Sequence, residues 1–126
     1  MENINSVVLV GNLVAAPSLK SDTVLTFSIA VNERRKDDDD EWADYPNFID
    51  CVLFGARCKP LSEMMDKGMR IAVSGRLHQN RWETDDGENR SRLEVVVSNV
   101  EIMTIKIDDD SKKSGGKDKS STKKKR

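Results

Sequence analysis

Residues 24–32, VLTFSIAVN, alternate along their whole length: Leu25, Phe27, Ile29 and Val31 fall on one side, Val24, Thr26, Ser28, Ala30 and Asn32 on the other. Successive side chains of a strand point to opposite faces, so this segment is predicted to be a strand with one apolar face. Residues 47–55, NFIDCVLFG, alternate differently. Ile49, Cys51 and Leu53 make an apolar face, whereas Phe48 and Phe54 share the other with Val52 and the charged Asp50. Two aromatics beside a carboxylate fit a surface on which flat ligands stack, and they also fit a sheet covered on both faces. The segment alone leaves both open.

The rest of the chain continues this pattern. Residues 7–14, VVLVGNLV, read as a strand bent or bulged at Gly11 and ended by Pro17 and Ser18. Arg34, Arg35 and Lys36 lead into the acidic run of residues 37–41, which cannot pack and is expected to form an exposed loop between two strands. Leu61, Met64 and Met65 have helical spacing within residues 56–67; Pro60 sits near the first turn and Gly68 is the expected C-cap. Residues 69–77, MRIAVSGRL, are a further strand with Trp82 just beyond it. Asp85, Asp86 and Gly87 mark a hairpin turn before a last strand over residues 93–107. Three strands, a helix and two strands suit an all-β, antiparallel, five-stranded barrel with one short helix better than a sandwich.

Composition divides the chain in two. Residues 108–126 hold no apolar side chain, so they cannot bury anything and are expected to form a disordered basic tail after a domain of residues 1–107. The formal net charge of −1 hides the same division. Eight Lys/Arg and one acid from Ser111 onward make +7, leaving 13 basic and 21 acidic groups, net −8, in residues 1–110.

Candidate chemistry is soon narrowed. Cys51 and Cys58 with the single His78 fall short of the four or so ligands of a zinc site, so no metal or cofactor is expected. The acidic loop lacks the spaced ligands and central glycine of a calcium loop. No phosphate-cradling glycine motif occurs, and one histidine gives catalysis little to rest on, so an enzyme is the least expected class. No secretory leader and no membrane-spanning apolar run is read, which suits an intracellular protein. Six aromatics interleaved with Arg34, Arg35, Arg57, Arg76 and Arg81 remain. Rings for bases and guanidinium groups for phosphates are what a binder of single-stranded nucleic acid needs.

VVLVGNL at 7–13, FSIAVN at 27–32, FIDCVLFG at 48–55, DKG at 66–68, SGRL at 74–77 and RWETDDGENR at 81–90 occur in the order and spacing of bacterial single-stranded DNA-binding proteins. The chain resembles that family over residues 3–105. The resemblance implies a five-stranded OB-fold Greek-key barrel that assembles as a homotetramer and wraps single-stranded DNA during replication, recombination and repair. Its location would be cytoplasmic, on the nucleoid, without membrane contact. The family's stacking aromatics match Phe48, Phe54 and Trp82, and its basic path matches Lys20, Lys67 and Arg81.

Departures from the family pattern are concrete. Arg35 stands where relatives often carry another stacking aromatic. Ser6, Asp50 and Ala56 occupy positions that are often basic, and the hairpin is entered through His78, Gln79 and Asn80. Relatives usually close with an acidic tip and a phenylalanine that recruits replication and repair proteins, whereas this sequence closes on Lys123, Lys124, Lys125 and Arg126. Recruitment of those proteins is therefore unsupported, and the tail is expected to touch DNA backbone or fold back on the acidic body. Two other functions fit the same barrel: a single-stranded RNA-binding module, and a protein–protein adaptor of replication restart.

Overall fold

In the computed structural model, which describes residues 3–104, six strands and one helix follow in chain order. They are β1 (Val7–Leu13), β2 (Ser18–Ser21), β3 (Val24–Lys36), β4 (Trp42–Phe54), α1 (Cys58–Met64), β5 (Arg70–Glu83) and β6 (Asn89–Ile102). The apolar faces read from the sequence meet in one core. Leu25, Phe27 and Ile29 pack with Cys51, Leu53, Ile71, Val73, Val95 and Val97, and Leu13, Cys58, Met65 and Met69 complete the cluster. A sheet with one apolar face must roll that face inward or cover it. Here five strands roll up in the ring order β1–β5–β6–β4–β3, closed by Asn12↔Ala30 and Leu13↔Ile29 between β1 and β3. This is the expected five-stranded OB-fold barrel with one short helix.

Four details differ from the expectation. The barrel is not antiparallel throughout: β4 and β6 run parallel from Cys51↔Val95 to Leu53↔Val97. A closed ring of five strands cannot alternate direction all the way round, so one parallel pair is a topological necessity. β2 is an additional strand on β3, bulged between Leu19 and Ser21, and its four residues are all exposed, so no apolar pattern marked it. The helix covers residues 58–64, shorter than 56–67, because Met65 is already extended. Gly68 is not its C-cap but belongs to the turn into β5, at φ +87°. Met64 faces solvent while Met65 is buried. The strand pairs, finally, run longer than their apolar alternation. β3 and β4 pair from Val24↔Phe54 to Lys36↔Trp42, and β5 and β6 as far as Glu83↔Asn89, forming two-stranded arms beyond the core. Trp82 therefore lies within β5. The expected tail of residues 108–126 and the last part of the strand expected to reach residue 107 lie outside the described residues.

Two glycines mark where strands pass closest. A Cβ on Gly11 would sit 2.5 Å from the Ala30 carbonyl oxygen, at the point where β1 meets β3. One on Gly75 would collide with the Val96 carbonyl beside the irregularity between Ser74 and Gly75.

The core also sets a pH response. Burial, and then the adjacent Asp50 carboxylate, push the Cys51 thiol from its ordinary value of 9.0 up to about 12. In the unfolded chain the thiol ionises at its ordinary value, so above that pH the unfolded state binds fewer protons than the folded one. Its contribution to stability is complete below pH 9 and is lost as the pH rises toward 12. The melting temperature of the wild type is expected to fall more steeply over that range than that of Cys51→Ala. Equal slopes would show that the thiol does not titrate on unfolding.

Candidate nucleic-acid interface

The outward side of β4 presents Phe48, 66% exposed, and Phe54, 55% exposed, with half-covered Asp50 between them. A sheet covered on both faces is thereby excluded for these two rings among the described residues. Val52 shares the face but is only 7% exposed, lying between Thr26 and Val96 of the adjacent strands. Opposite Phe48 and Asp50 on β3 stand the small residues Ala30 and Ser28, which leave the Phe48 ring standing clear of the sheet.

Register extends this surface across four strands. The parallel pairing of β4 with β6 carries it to Val96, Glu94, Arg92 and Arg90, and these pair with Arg76, His78, Asn80 and Trp82 of β5. Trp82 is 45% exposed. Arg92 joins the two halves. Its Nε lies 3.8 Å from Asp50 Oδ2, its Nη2 lies 3.9 Å from Glu94, and its guanidinium carbon stands 6.0 Å from the centroid of the Trp82 ring. The Ser28 hydroxyl donates to the other Asp50 oxygen at 2.7 Å. Beside this cluster a cleft of about 420 Å³ opens between residues 14–18 and the strands, lined by Lys20, Ser28, Asp50, Arg92 and Glu94.

The β3–β4 arm adds rings that the sequence reading passed over. Trp42, 59% exposed, lies on the Phe48 side of the ribbon, with the Lys36 ammonium 5.7 Å from its ring centroid. On the opposite side Arg35 lies 4.4 Å over Tyr45. The acidic run is the tip of this arm: Asp37 accepts the backbone N–H groups of Asp39 and Glu41, and Asp40 takes φ +67°. The β5–β6 tip is built in the same way. Thr84 donates to the Asp86 carboxylate and holds its pKa below the ordinary value.

The ten residues singled out from the sequence therefore fall into groups. Phe48, Phe54, Trp82 and Arg76 share the four-strand surface by register, and Lys20 stands at its cleft. Arg34 continues the Phe48 side outward and is ion-paired with Asp44 at 3.7 Å, an exposed contact worth little to stability. Arg35 and Arg81 point to the other side of their ribbons; Arg81 donates to Gln79 at 2.8 Å. Arg57 donates to the Ser98 carbonyl at 2.6 Å and pins the start of α1 to β6. Lys67 lies in the turn after α1, outside the four-strand surface; the Gly68 N–H of that turn donates to Leu13 at 2.9 Å. Arg92, Trp42 and Tyr45 were missed. Extending the alternation of the inward Val95 and Val97 back by three residues puts Arg92 on the outward face, and counting back from Phe48 in twos reaches Trp42.

The profile of the single-strand binding protein family matches residues 4–103. The chain belongs to that family. It is 40% identical over 107 residues to the single-stranded DNA-binding protein of Treponema pallidum, covering 82% of this chain and 60% of that one. It is 38% identical over 109 residues to the Borreliella burgdorferi protein of the same name, covering 82% and 72%. The chain thus spans less than two thirds of the Treponema protein's length. Among solved structures, a Plasmodium falciparum SSB in complex with ssDNA superposes with a TM-score of 0.72 at 24% identity, over 82% of this chain and 98% of that one. That likeness establishes the fold.

Proposed function

We propose that this protein binds single-stranded DNA across sequences, shielding it during replication, recombination and repair. The observation that carries the proposal is the single four-strand surface from which Phe48, Phe54 and Trp82 stand out with arginines between them. Exposed rings stack on bases whatever their identity, and cations neutralise the phosphates between them. Bases inside a duplex already stack on one another, which favours the single strand. The named relatives point the same way. The role is one of binding, not catalysis, exercised in the cytoplasm on nucleoid DNA. Titration with oligo-dT is expected to quench tryptophan fluorescence, and in Trp42→Phe the remaining signal reports Trp82 alone. Absence of both quenching and complex formation by mass would end this reading.

Assembly as a homotetramer is part of the proposal. Its support is the family resemblance together with β1, which pairs with β5 along Val7–Asn12 but with β3 only at Asn12 and Leu13. Among the described residues the other edge of residues 7–11 carries no strand, and Val8 is fully outward at 72% exposure. The eight basic residues after Ser111 are proposed to rest on DNA backbone. For single strands, log K falls with log salt by about 0.7 for each phosphate neutralised. Deleting residues 111–126 is expected to reduce the slope by that amount for each tail cation engaged. An unchanged slope would show that the tail takes no part.

A further inference from the structure

A carboxylate at the centre of a surface for a polyanion needs a reason. Asp50 stands on the face of Phe48 and Phe54, and its salt bridge to Arg92, long at 3.8 Å with both side chains about half exposed, is worth little to the fold. Its surroundings suggest recognition. Asp50 and Glu94 hold Arg92 between them at 3.8 and 3.9 Å, and Ser28 donates to Asp50 at 2.7 Å. All four line the cleft of about 420 Å³, with Lys20 on the β2 side.

We propose that Asp50 makes this cleft a base-selective subsite, favouring a base that presents an amino group over uracil or thymine. The inference rests on the single-strand binding reading and deepens it. A carboxylate only accepts hydrogen bonds, and each of its oxygens has a lone pair left after its contact with Ser28 or Arg92. Phe48 lies two residues along the same face, about 7 Å away at the rise of a strand. A base stacked on the exposed Phe48 ring therefore turns one edge toward Asp50. Cytosine offers its exocyclic amine there, as in the pairing of acidic side chains with cytosine in DNA grooves. Uracil and thymine offer a carbonyl oxygen at the same carbon, which a carboxylate repels. Lys20 and Arg92 supply the positive charge that the adjoining phosphates require.

Oligo-dC and oligo-dU of equal length separate this from ordinary stacking. Both have single-ring bases that stack weakly on themselves and carry the same backbone charge, and they differ in the groups along one edge. At pH 8, where cytosine is unprotonated, the wild type is expected to bind oligo-dC about fivefold more tightly, the weak end of the range for a base-edge hydrogen bond at an exposed site. Asp50→Asn, whose amide both donates and accepts, is expected to bring the two affinities together while the melting temperature is retained. Equal binding of the two oligomers by the wild type overturns the inference and leaves single-strand binding intact. So does a preference that survives in Asp50→Asn, or a variant that gains affinity for both oligomers equally with its preference unchanged, because the carboxylate would then act through its charge alone. Failure of the wild type to bind either oligomer defeats the single-strand reading itself, and the inference with it.

Discussion

Replacing Phe48 and Phe54 together by alanine is expected to lower the affinity for oligo-dT about a thousandfold at fixed salt, with little change in melting temperature. Stacking of a base on an aromatic side chain is worth about 1–3 kcal/mol, a general figure for single-strand binders and not one obtained from this chain. Two rings at about 2 kcal/mol each reach about 4 kcal/mol, which is the thousandfold. Neither ring belongs to the core cluster, and both are more than half exposed, so their removal opens no cavity. Isothermal titration and thermal melting on the same samples test both halves of the expectation. A loss below tenfold would show that the strand path avoids β4. A collapse of the melting temperature would show that the rings serve the fold.

Leu53→Ala is expected to do the reverse. Leu53 neighbours Phe54 in sequence but points inward, is fully buried, and belongs to the core cluster. The Cys58 thiol donates to its carbonyl at 3.1 Å, tying α1 to the same point. Truncating a buried leucine removes transfer free energy and leaves a cavity, together about 3 kcal/mol. For a domain near 100 residues that corresponds to a fall of about 15 °C in melting temperature. Affinity per folded molecule should stay within twofold of wild type, because the outward face is untouched. A stability loss under 1 kcal/mol would mean that the barrel closes over the gap. Adjacent residues of one strand thus test stability and binding separately.

Core and surface are most legible in the sequence where alternation is strict. Leu25, Phe27 and Ile29 against Thr26, Ser28 and Ala30, and Cys51 and Leu53 against Phe48 and Phe54, divide into core and surface as their period of two requires. Strands without an apolar pattern are not legible in this way. β2 is exposed throughout, and the outer halves of the β3–β4 and β5–β6 ribbons carry no apolar alternation, so their strand character comes from pairing with a partner and not from their own pattern. Trp42 and Tyr45 were missed for that reason. The helix is shorter than its pattern because Leu61, Met64 and Met65 keep helical spacing although Met65 already adopts extended backbone.

The candidate site follows the same rule. Aromatic residue types and their facing can be read within a single segment, as for Phe48 and Phe54, whereas Trp82, expected just beyond a strand, takes its facing from the longer pairing of β5 with β6. Which cations accompany them depends on strands far apart in the chain. Arg92 reaches Asp50 only because β6 lies parallel to β4, and it reaches Trp82 only because β5 pairs with β6. Arg57 illustrates the converse, a cation of suitable type that the fold directs to the Ser98 carbonyl.

What the sequence determined by itself, then, is what each strand buries and what it exposes, because side-chain direction alternates over neighbouring residues and needs no partner. With that came the barrel, the outward aromatics and, through its motifs, the family. What only the tertiary structure decided is which exposed groups share a surface. The ring order, the one parallel pair that five strands impose, and the long-range register bring Asp50, Arg92 and Trp82 together from three strands, and no local pattern encodes distances between residues that far apart in sequence.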